Sequence, residues 1–172
     1  MVATVVWFVV FLALVFGIFS LIAVSAMAGR NARPNMHDTP FVLFIGDSEA
    51  VRVPESLLPW RIDRCAIRGG SFQELKTLLA AWPERSGVYE NVFILYGVAD
   101  SRGRSVQPDI IESNTKDLEA LASAKFKCSV SVISLESQLD VLKKPAYQSD
   151  PSHFNLLGYI DLFKQHHIPI IE

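Results

Sequence analysis

Charged side chains are absent from the first 29 residues of this 172-residue chain, where neither an acidic nor a basic residue occurs. An apolar helix of about 20 residues is long enough to cross a hydrocarbon layer of about 30 Å. We therefore predict a transmembrane helix over residues 1–29, a polar linker with two prolines over residues 30–40, and one globular domain over residues 41–172. A cleavable signal peptide ending near residues 26–28 is the alternative. The length of the apolar run and the lack of a preceding base argue against it.

A basic face is also missing. The chain has 16 Lys and Arg residues against 18 Asp and Glu residues, and its formal net charge is −2. Proteins that bind nucleic acid neutralise phosphates with clustered Lys and Arg, so nucleic acid is not an expected partner. The expected partner of the apolar segment is the lipid bilayer.

The side of the membrane is predicted only from a few residues. Arg30 and Arg33 follow the apolar segment and no base precedes it, which by the positive-inside rule favours a cytoplasmic domain. Cysteine is scarce, and Cys65 and Cys128 can pair only if the fold brings them together. Because the alternation of strands predicts that they lie apart, we expect two free thiols, which fit a reducing compartment.

The predicted anchor is rich in aromatic side chains. One interpretation is that these side chains face lipid. The other is that they pack against further transmembrane subunits or pigments of a larger assembly. Both interpretations concern the same residues: Trp7, Phe8, Phe11, Phe16 and Phe19.

Strand-like and helix-like segments alternate beyond the linker. Short, continuously apolar runs are typical of strands buried on both faces, and apolar residues at i, i+3, i+4 and i+7 are typical of helices. Such alternation predicts a three-layer, flavodoxin-like α/β fold, with a parallel sheet covered by helices on both faces. The predicted strands are residues 41–45, 61–67, 91–96, 129–135 and, as a short edge strand, 168–171; the predicted helices are residues 73–82 and 109–126 and a last helix from Asn155.

Two kinds of site are not expected. A glycine-rich loop that would hold a phosphate does not follow the first predicted strand, so a flavodoxin-like binding module is disfavoured, and no cofactor is predicted. His166 and His167 are adjacent, and adjacent positions on a helix do not face one another. Without further ligands at suitable spacing they do not predict a zinc site.

Polar residues and glycines follow the predicted strands. In open parallel sheets, ligands bind beyond the carboxyl ends of the strands, so these residues are the candidates for function. They are Gly46-Asp47-Ser48 after the first strand, Gly69-Gly70-Ser71 after the second, Gly97-Val98-Ala99-Asp100 after the third, and the segment Asp150-Pro151-Ser152-His153 near the C-terminus.

Four sequence blocks resemble those of the SGNH (GDSL-type) hydrolases. FIGDSEA, at residues 44–50, is similar to the family's first block, and DPSHFNLLGY, at residues 150–159, is similar to its last. IRGGSF, at residues 67–72, and YGVAD, at residues 96–100, are similar to the second and third blocks. The blocks occur in the family's order, and the resemblance covers residues 41–166.

The resemblance implies a catalytic triad of Ser48, His153 and Asp150. In such a triad the histidine takes the proton of the serine hydroxyl, and the aspartate holds the imidazole in the right tautomer. The resemblance further implies that backbone N–H groups of Ser48, Gly69 and Gly70 form the oxyanion hole. Asp47 is expected to have a structural role, in which it binds backbone groups around the turn.

The third block departs from the family pattern. The family supplies an Asn side chain to the oxyanion hole where this chain has Ala99, and Arg68 replaces the usual Asn of the second block. Loss of one such donor costs about two to three orders of magnitude in rate. An ionised Asp100 would not replace it, because a carboxylate repels an oxyanion.

Two hypotheses therefore remain. The first is a membrane-tethered serine esterase, or acyl-group hydrolase or transferase, acting on an O-acyl ester of a glycan or lipid. Membrane-tethered members of the family usually act outside the cytoplasm, which opposes the charge-based prediction. The second is a catalytically impaired SGNH-like domain that serves as an accessory or structural subunit of a membrane complex.

Overall fold

The computed structural model describes residues 40–83 and 89–171 of the chain. The predicted transmembrane helix at residues 1–29 and the linker at residues 30–39 lie outside the described residues. Within the described ranges, no helix is both long and apolar enough to cross a membrane.

Strands and helices alternate along the described residues as the sequence pattern predicts. The strands are β1 (Phe41–Gly46), β2 (Arg61–Ala66), β3 (Tyr89–Leu95), β4 (Ser129–Val132), β5 (Gln148–Asp150) and β6 (His153–Phe154). The helices are α1 (Ser48–Arg52), α2 (Phe72–Ala81), α3 (Val98–Gly103), α4 (Pro108–Phe126), α5 (Leu135–Leu142) and α6 (Leu156–Gln165), and short 3₁₀ turns lie at Glu55–Leu57 and Pro145–Tyr147.

Residues 40–83 and 89–171 contain a four-stranded sheet in the order β2-β1-β3-β4 and a two-stranded hairpin of β5 and β6. All three pairings in the larger sheet are parallel. The carboxyl ends of β1, β2 and β3 therefore lie at one edge, and the loops that follow them are neighbours. Cys65, in β2, and Cys128, just before β4, are both free, as predicted.

The core lies on both faces of the sheet. Successive residues of β1 point to opposite faces, so Val42 and Phe44 pack in one apolar cluster and Leu43 and Ile45 in the other. The first cluster is completed by residues of α1, α5 and α6, and the second by residues of α2 and α4. The prediction of an α/β fold with a parallel sheet and helices is thus confirmed for the described residues.

Two predicted strands differ from the structure. The strand expected at residues 129–135 ends at Val132, because the Ser134 hydroxyl accepts a hydrogen bond from the Ser137 N–H at 3.1 Å and caps α5. Residues 168–171 form no strand. Pro169 lacks an N–H for a ladder, and the Ile171 N–H instead donates to the Leu57 carbonyl at 2.8 Å.

The packing of α2 against the sheet gives a direct test of the core. Leu79 is 0% exposed, whereas Leu157, on helix α6, is 54% exposed. We expect Leu79→Ala to lower the free energy of unfolding by roughly 2–5 kcal/mol, because it leaves a cavity in the core. Leu157→Ala is the matched helical control and should change it by less than about 0.5 kcal/mol. Denaturant unfolding of both variants measures the difference, and equal effects would contradict this assignment of the core.

Candidate active site

The Asp47 carboxylate joins two of the loops at the carboxyl edge of the sheet. It accepts hydrogen bonds from the backbone N–H groups of Glu49 at 3.2 Å, Gly97 at 3.1 Å and Ala99 at 3.0 Å. Asp47 is 1% exposed, and burial raises the pKa of its carboxyl, while the three N–H hydrogen bonds oppose that rise. The predicted structural role of Asp47 is confirmed.

Ser48 begins helix α1 directly after Asp47, the N-cap residue. Its Oγ accepts a hydrogen bond from the Gly69 N–H at 2.9 Å. Gly69 has a φ of +61°, a conformation that residues with a Cβ rarely adopt. The turn after β2 therefore directs a backbone donor toward the Ser48 hydroxyl.

Gly70 is placed differently from Gly69. Its N–H donates to the Ile67 carbonyl at 3.0 Å and closes the turn after β2. A backbone donor already used in this way does not face the Ser48 hydroxyl. Of the two glycines expected at the oxyanion hole, Gly69 is the one whose N–H contacts Ser48.

Asp150 and His153 form a pair at the hairpin of β5 and β6. His153 Nδ1 lies 2.7 Å from Asp150 Oδ1 and 2.8 Å from Oδ2. The Ser152 N–H also donates to Asp150 Oδ1 at 2.9 Å, and Arg52 Nη1 lies 3.7 Å from Oδ2. These contacts, with the Ser152 hydrogen bond contributing most, lower the pKa of the Asp150 carboxyl. Asp150 and His153 therefore lie side by side at the turn between β5 and β6.

Ser48 and His153 line the same cavity, which has a volume of about 350 Å³ and is also lined by Gly69 and Ala99. Among the described residues, the Ser48 Oγ makes a hydrogen bond with Gly69 and none with His153. Hydrogen bonds of catalytic groups are often formed only when substrate binds. The structure therefore brings the three predicted triad residues to one site, with the Asp–His contact formed and the Ser–His contact open.

Glu49 is a buried acid that the sequence did not reveal. It is 0% exposed, and its Oε2 accepts hydrogen bonds from the Tyr159 hydroxyl at 2.9 Å and from the Phe154 N–H at 3.4 Å. Burial raises the pKa of Glu49 to about 7, although the Tyr159 hydrogen bond opposes the rise. Because Phe154 follows His153, Glu49 connects helix α1, which begins at Ser48, with strand β6, which begins at His153. The sequence gives no sign of this burial, because acidic residues are common in the first turn of a helix.

Arg104 connects helix α3 with the glycine turn. Its guanidinium donates to the carbonyl oxygens of Gly69 and, at 3.3 Å, Gly70. It also donates to Asp100 Oδ1 at 2.5 Å, and Asp100 is 3% exposed and accepts a further hydrogen bond from the Tyr96 hydroxyl. Asp100 therefore holds Arg104 in a fixed position, and Arg104 orients the turn that carries the Gly69 N–H. The sequence contains no signal for this contact, because Arg104 lies after the recognisable third block.

Arg102 donates a hydrogen bond to the loop that carries Asp150 and His153, as Arg104 does to the glycine turn. Its guanidinium donates to the Pro151 carbonyl, in the turn between Asp150 and His153. Arg102, Arg104 and Ala99 all line the cavity. The segment that follows β3 thus contacts both loops that carry the predicted catalytic groups.

The site contains three groups of the kind that take part in ester hydrolysis by a serine nucleophile. They are a hydroxyl in a helix-starting turn, an imidazole oriented by a carboxylate, and a backbone N–H directed at the hydroxyl. Among the described residues, no three His, Cys, Asp or Glu side chains are grouped closely enough to hold a metal ion. The Ala99 side chain adds no hydrogen-bond donor to the cavity.

Comparison with solved structures gives only distant similarity, of which one example is described here. No protein-family model matches the chain, and no curated protein matches it. A solved structure described as that of "a putative platelet activating factor from Streptococcus pneumonia" matches 75% of this chain and 83% of its own, with 20% sequence identity and a TM-score of 0.46. The functional conclusion therefore depends on the residues at the sheet edge.

The buried Glu49 predicts a pH dependence of stability. Its carboxyl has a pKa of about 7 in the folded protein, above the ordinary value of 4.5. The folded protein holds this proton more tightly than the unfolded chain, so stability should fall as the pH rises from about 4.5 through about 7. Glu49→Gln keeps an oxygen for the Tyr159 and Phe154 donors but has no proton to lose. We expect it to reduce the fall in the free energy of unfolding by up to about 3 kcal/mol.

Denaturant unfolding of the wild type and Glu49→Gln at about pH 5 and about pH 8 measures this effect. The exposed Glu112, whose side chain is 69% accessible, supplies a matched Glu-to-Gln control that should leave the pH dependence unchanged. An equal pH dependence in the wild type and Glu49→Gln would show that Glu49 is ionised in the folded protein at both pH values.

Proposed function

We propose that the chain is a membrane-tethered SGNH-type serine hydrolase or acyl transferase that acts on an O-acyl ester. The observation that carries the proposal is the convergence of Ser48 and the Asp150–His153 pair on one cavity. The four sequence blocks that resemble the family support it, because they supply these residues in the family's order. An acyl ester of a glycan or lipid, as the resemblance implies, is the proposed substrate class.

In the proposed reaction, His153 is the base. Its Nδ1 faces the Asp150 carboxylate, so the imidazole is in the tautomer with a proton on Nδ1 and a free lone pair on Nε2. Nε2 takes the Ser48 proton as Oγ attacks the ester carbonyl, and it then gives that proton to the leaving alcohol. Water, or an acceptor alcohol in a transferase, releases the acyl group from Ser48 by the same steps in reverse.

The negative charge that develops on the carbonyl oxygen needs donors that are already in place. The Gly69 N–H is one, since it lies 2.9 Å from the Ser48 Oγ. The Ser48 N–H is another, because first-turn N–H groups have no acceptor within their helix. A third donor is missing from the side chain at position 99, and we therefore propose a slow catalyst.

A second candidate function is an accessory subunit of a membrane complex. Two observations favour it: Ala99 provides no side-chain donor, and no hydrogen bond connects Ser48 with His153 in the described part of the chain. The aromatic side chains of residues 1–29 would then pack against partner helices. The two candidates make opposite predictions for the reactivity of Ser48.

The first test is labelling of the detergent-solubilised full chain with a fluorophosphonate probe. We expect the wild type to be labelled, and Ser48→Ala to lose labelling and about a thousandfold or more of ester turnover. Ser152→Ala is the matched control, because Ser152 lines the same cavity and contacts Asp150 through its backbone N–H. Absence of labelling in well-folded wild type would refute the hydrolase and favour the accessory subunit, which co-purification in mild detergent would then identify.

The second test restores the missing donor. Ala99 lines the cavity, and its N–H is held by Asp47 at 3.0 Å, so Ala99→Asn adds an amide without changing the backbone contact. We expect turnover of 4-nitrophenyl acetate to rise by about a hundredfold, since one oxyanion donor is worth about 10²–10³ in rate.

Ala99→Asp is the matched control for this gain. The aspartate has the same size as asparagine but has no N–H to donate when ionised, so turnover should not rise. An equal increase in the two variants, or no increase in Ala99→Asn, would contradict the assignment of position 99 to the oxyanion hole.

A further inference from the structure

Arg102 differs from the other charged residues that line the cavity. Asp47 and Glu49 are 1% and 0% exposed, and their carboxylates accept hydrogen bonds from backbone N–H groups and, for Glu49, from the Tyr159 hydroxyl. Arg104 forms an ion pair with Asp100 at 2.5 Å. Each of these charges is therefore buried or has a partner.

Arg102 is exposed and lines the cavity, yet no carboxylate lies within ion-pair distance of it among the described residues. Its hydrogen bond to the Pro151 carbonyl uses a single donor of the guanidinium. A guanidinium has five N–H donors, arranged so that two of them can bind both oxygens of a carboxylate or phosphate. Arg102 thus retains both positive charge and donors toward the cavity that holds Ser48 and His153.

We infer that the cavity takes an ester that carries an anionic group, a carboxylate or a phosphate, and that Arg102 binds this group. The inference rests on the proposed hydrolase function for its identification of the ligand as a substrate. The contact with Pro151 places the guanidinium beside the turn that carries His153. A substrate bound by Arg102 therefore lies within the same 350 Å³ cavity as the reactive groups.

Two esters with the same leaving group test this specificity: neutral 4-nitrophenyl acetate and the mono-4-nitrophenyl ester of succinic acid. The measured quantity is the ratio of kcat/KM for the anionic ester to that for the neutral ester. We expect Arg102→Gln to lower this ratio about tenfold, mainly through KM for the anionic ester, because a charge-assisted hydrogen bond is lost. Arg102→Lys keeps the charge without the forked donors and should lower the ratio less.

Arg68→Gln is the matched control. Arg68 is exposed next to Gly69 and does not line the cavity, so this variant removes the same charge near the same sheet edge. A fall in the ratio for Arg102→Gln alone supports a direct contact. An equal fall in both variants, or an Arg102→Gln variant that slows both esters equally, overturns the inference and leaves Arg102 as a positioning residue of the His153 turn.

A binding measurement separates this inference from the proposed function. Calorimetric titration of the full-length Ser48→Ala protein with succinate and with inorganic phosphate requires no turnover, and the two probes distinguish the two anionic groups. The Ser48→Ala, Arg102→Gln double variant is titrated in the same way. If Ser48→Ala binds either probe and the double variant does not, the anion site is supported even if neither ester is hydrolysed. Failure of both probes to bind in an Arg102-dependent manner overturns it, even if Ser48-dependent esterase activity is present.

Discussion

The site depends on one buried carboxylate. Asp47 accepts hydrogen bonds from three backbone N–H groups in two loops. These hydrogen bonds fix the start of helix α1 relative to the turn after β3. The three hydrogen bonds therefore position Ser48 and Ala99 relative to each other. A buried carboxylate with fewer donors would be destabilising, since desolvation costs free energy that only hydrogen bonds offset. The arrangement of the candidate site is thus a consequence of satisfying one buried acid.

The fold was predictable where local signals and tertiary packing agree. The apolar run of β1 has to be buried on both faces, and the helices on either side follow from that requirement. Residues 133–135 show where local reasoning fails: their β-branched and apolar residues resemble a strand, but the Ser134 cap starts helix α5 one residue later. At residues 168–171, Pro169 prevents the expected ladder. The first error lies at the end of the edge strand β4, where fewer neighbours determine the structure.

The candidate site was predictable only for the residues that lie in recognisable sequence blocks. Ser48, Asp150 and His153 lie in blocks with recognisable spacing, and their nearness follows from the parallel sheet and the hairpin. Glu49 and Arg104, which contact the segments that carry them, have no such signal. The buried Glu49 accepts a hydrogen bond from Tyr159, 110 residues away, and Arg104 contacts Gly69 across 35 residues. Contacts of this kind depend on how helices pack, which no short sequence pattern records.

The hydrogen bond from Gly69 to Ser48 has a consequence for the proposed reaction. In the resting protein the Gly69 N–H is already satisfied by the Ser48 Oγ. A developing oxyanion would have to compete for that donor, so its stabilisation would be the difference between two hydrogen bonds rather than a whole new one. The same bond occupies one lone pair of the hydroxyl and leaves its proton to be directed elsewhere. In this geometry the Gly69 N–H would therefore stabilise an oxyanion less than an unused donor would. The Ser48 proton remains available to a base.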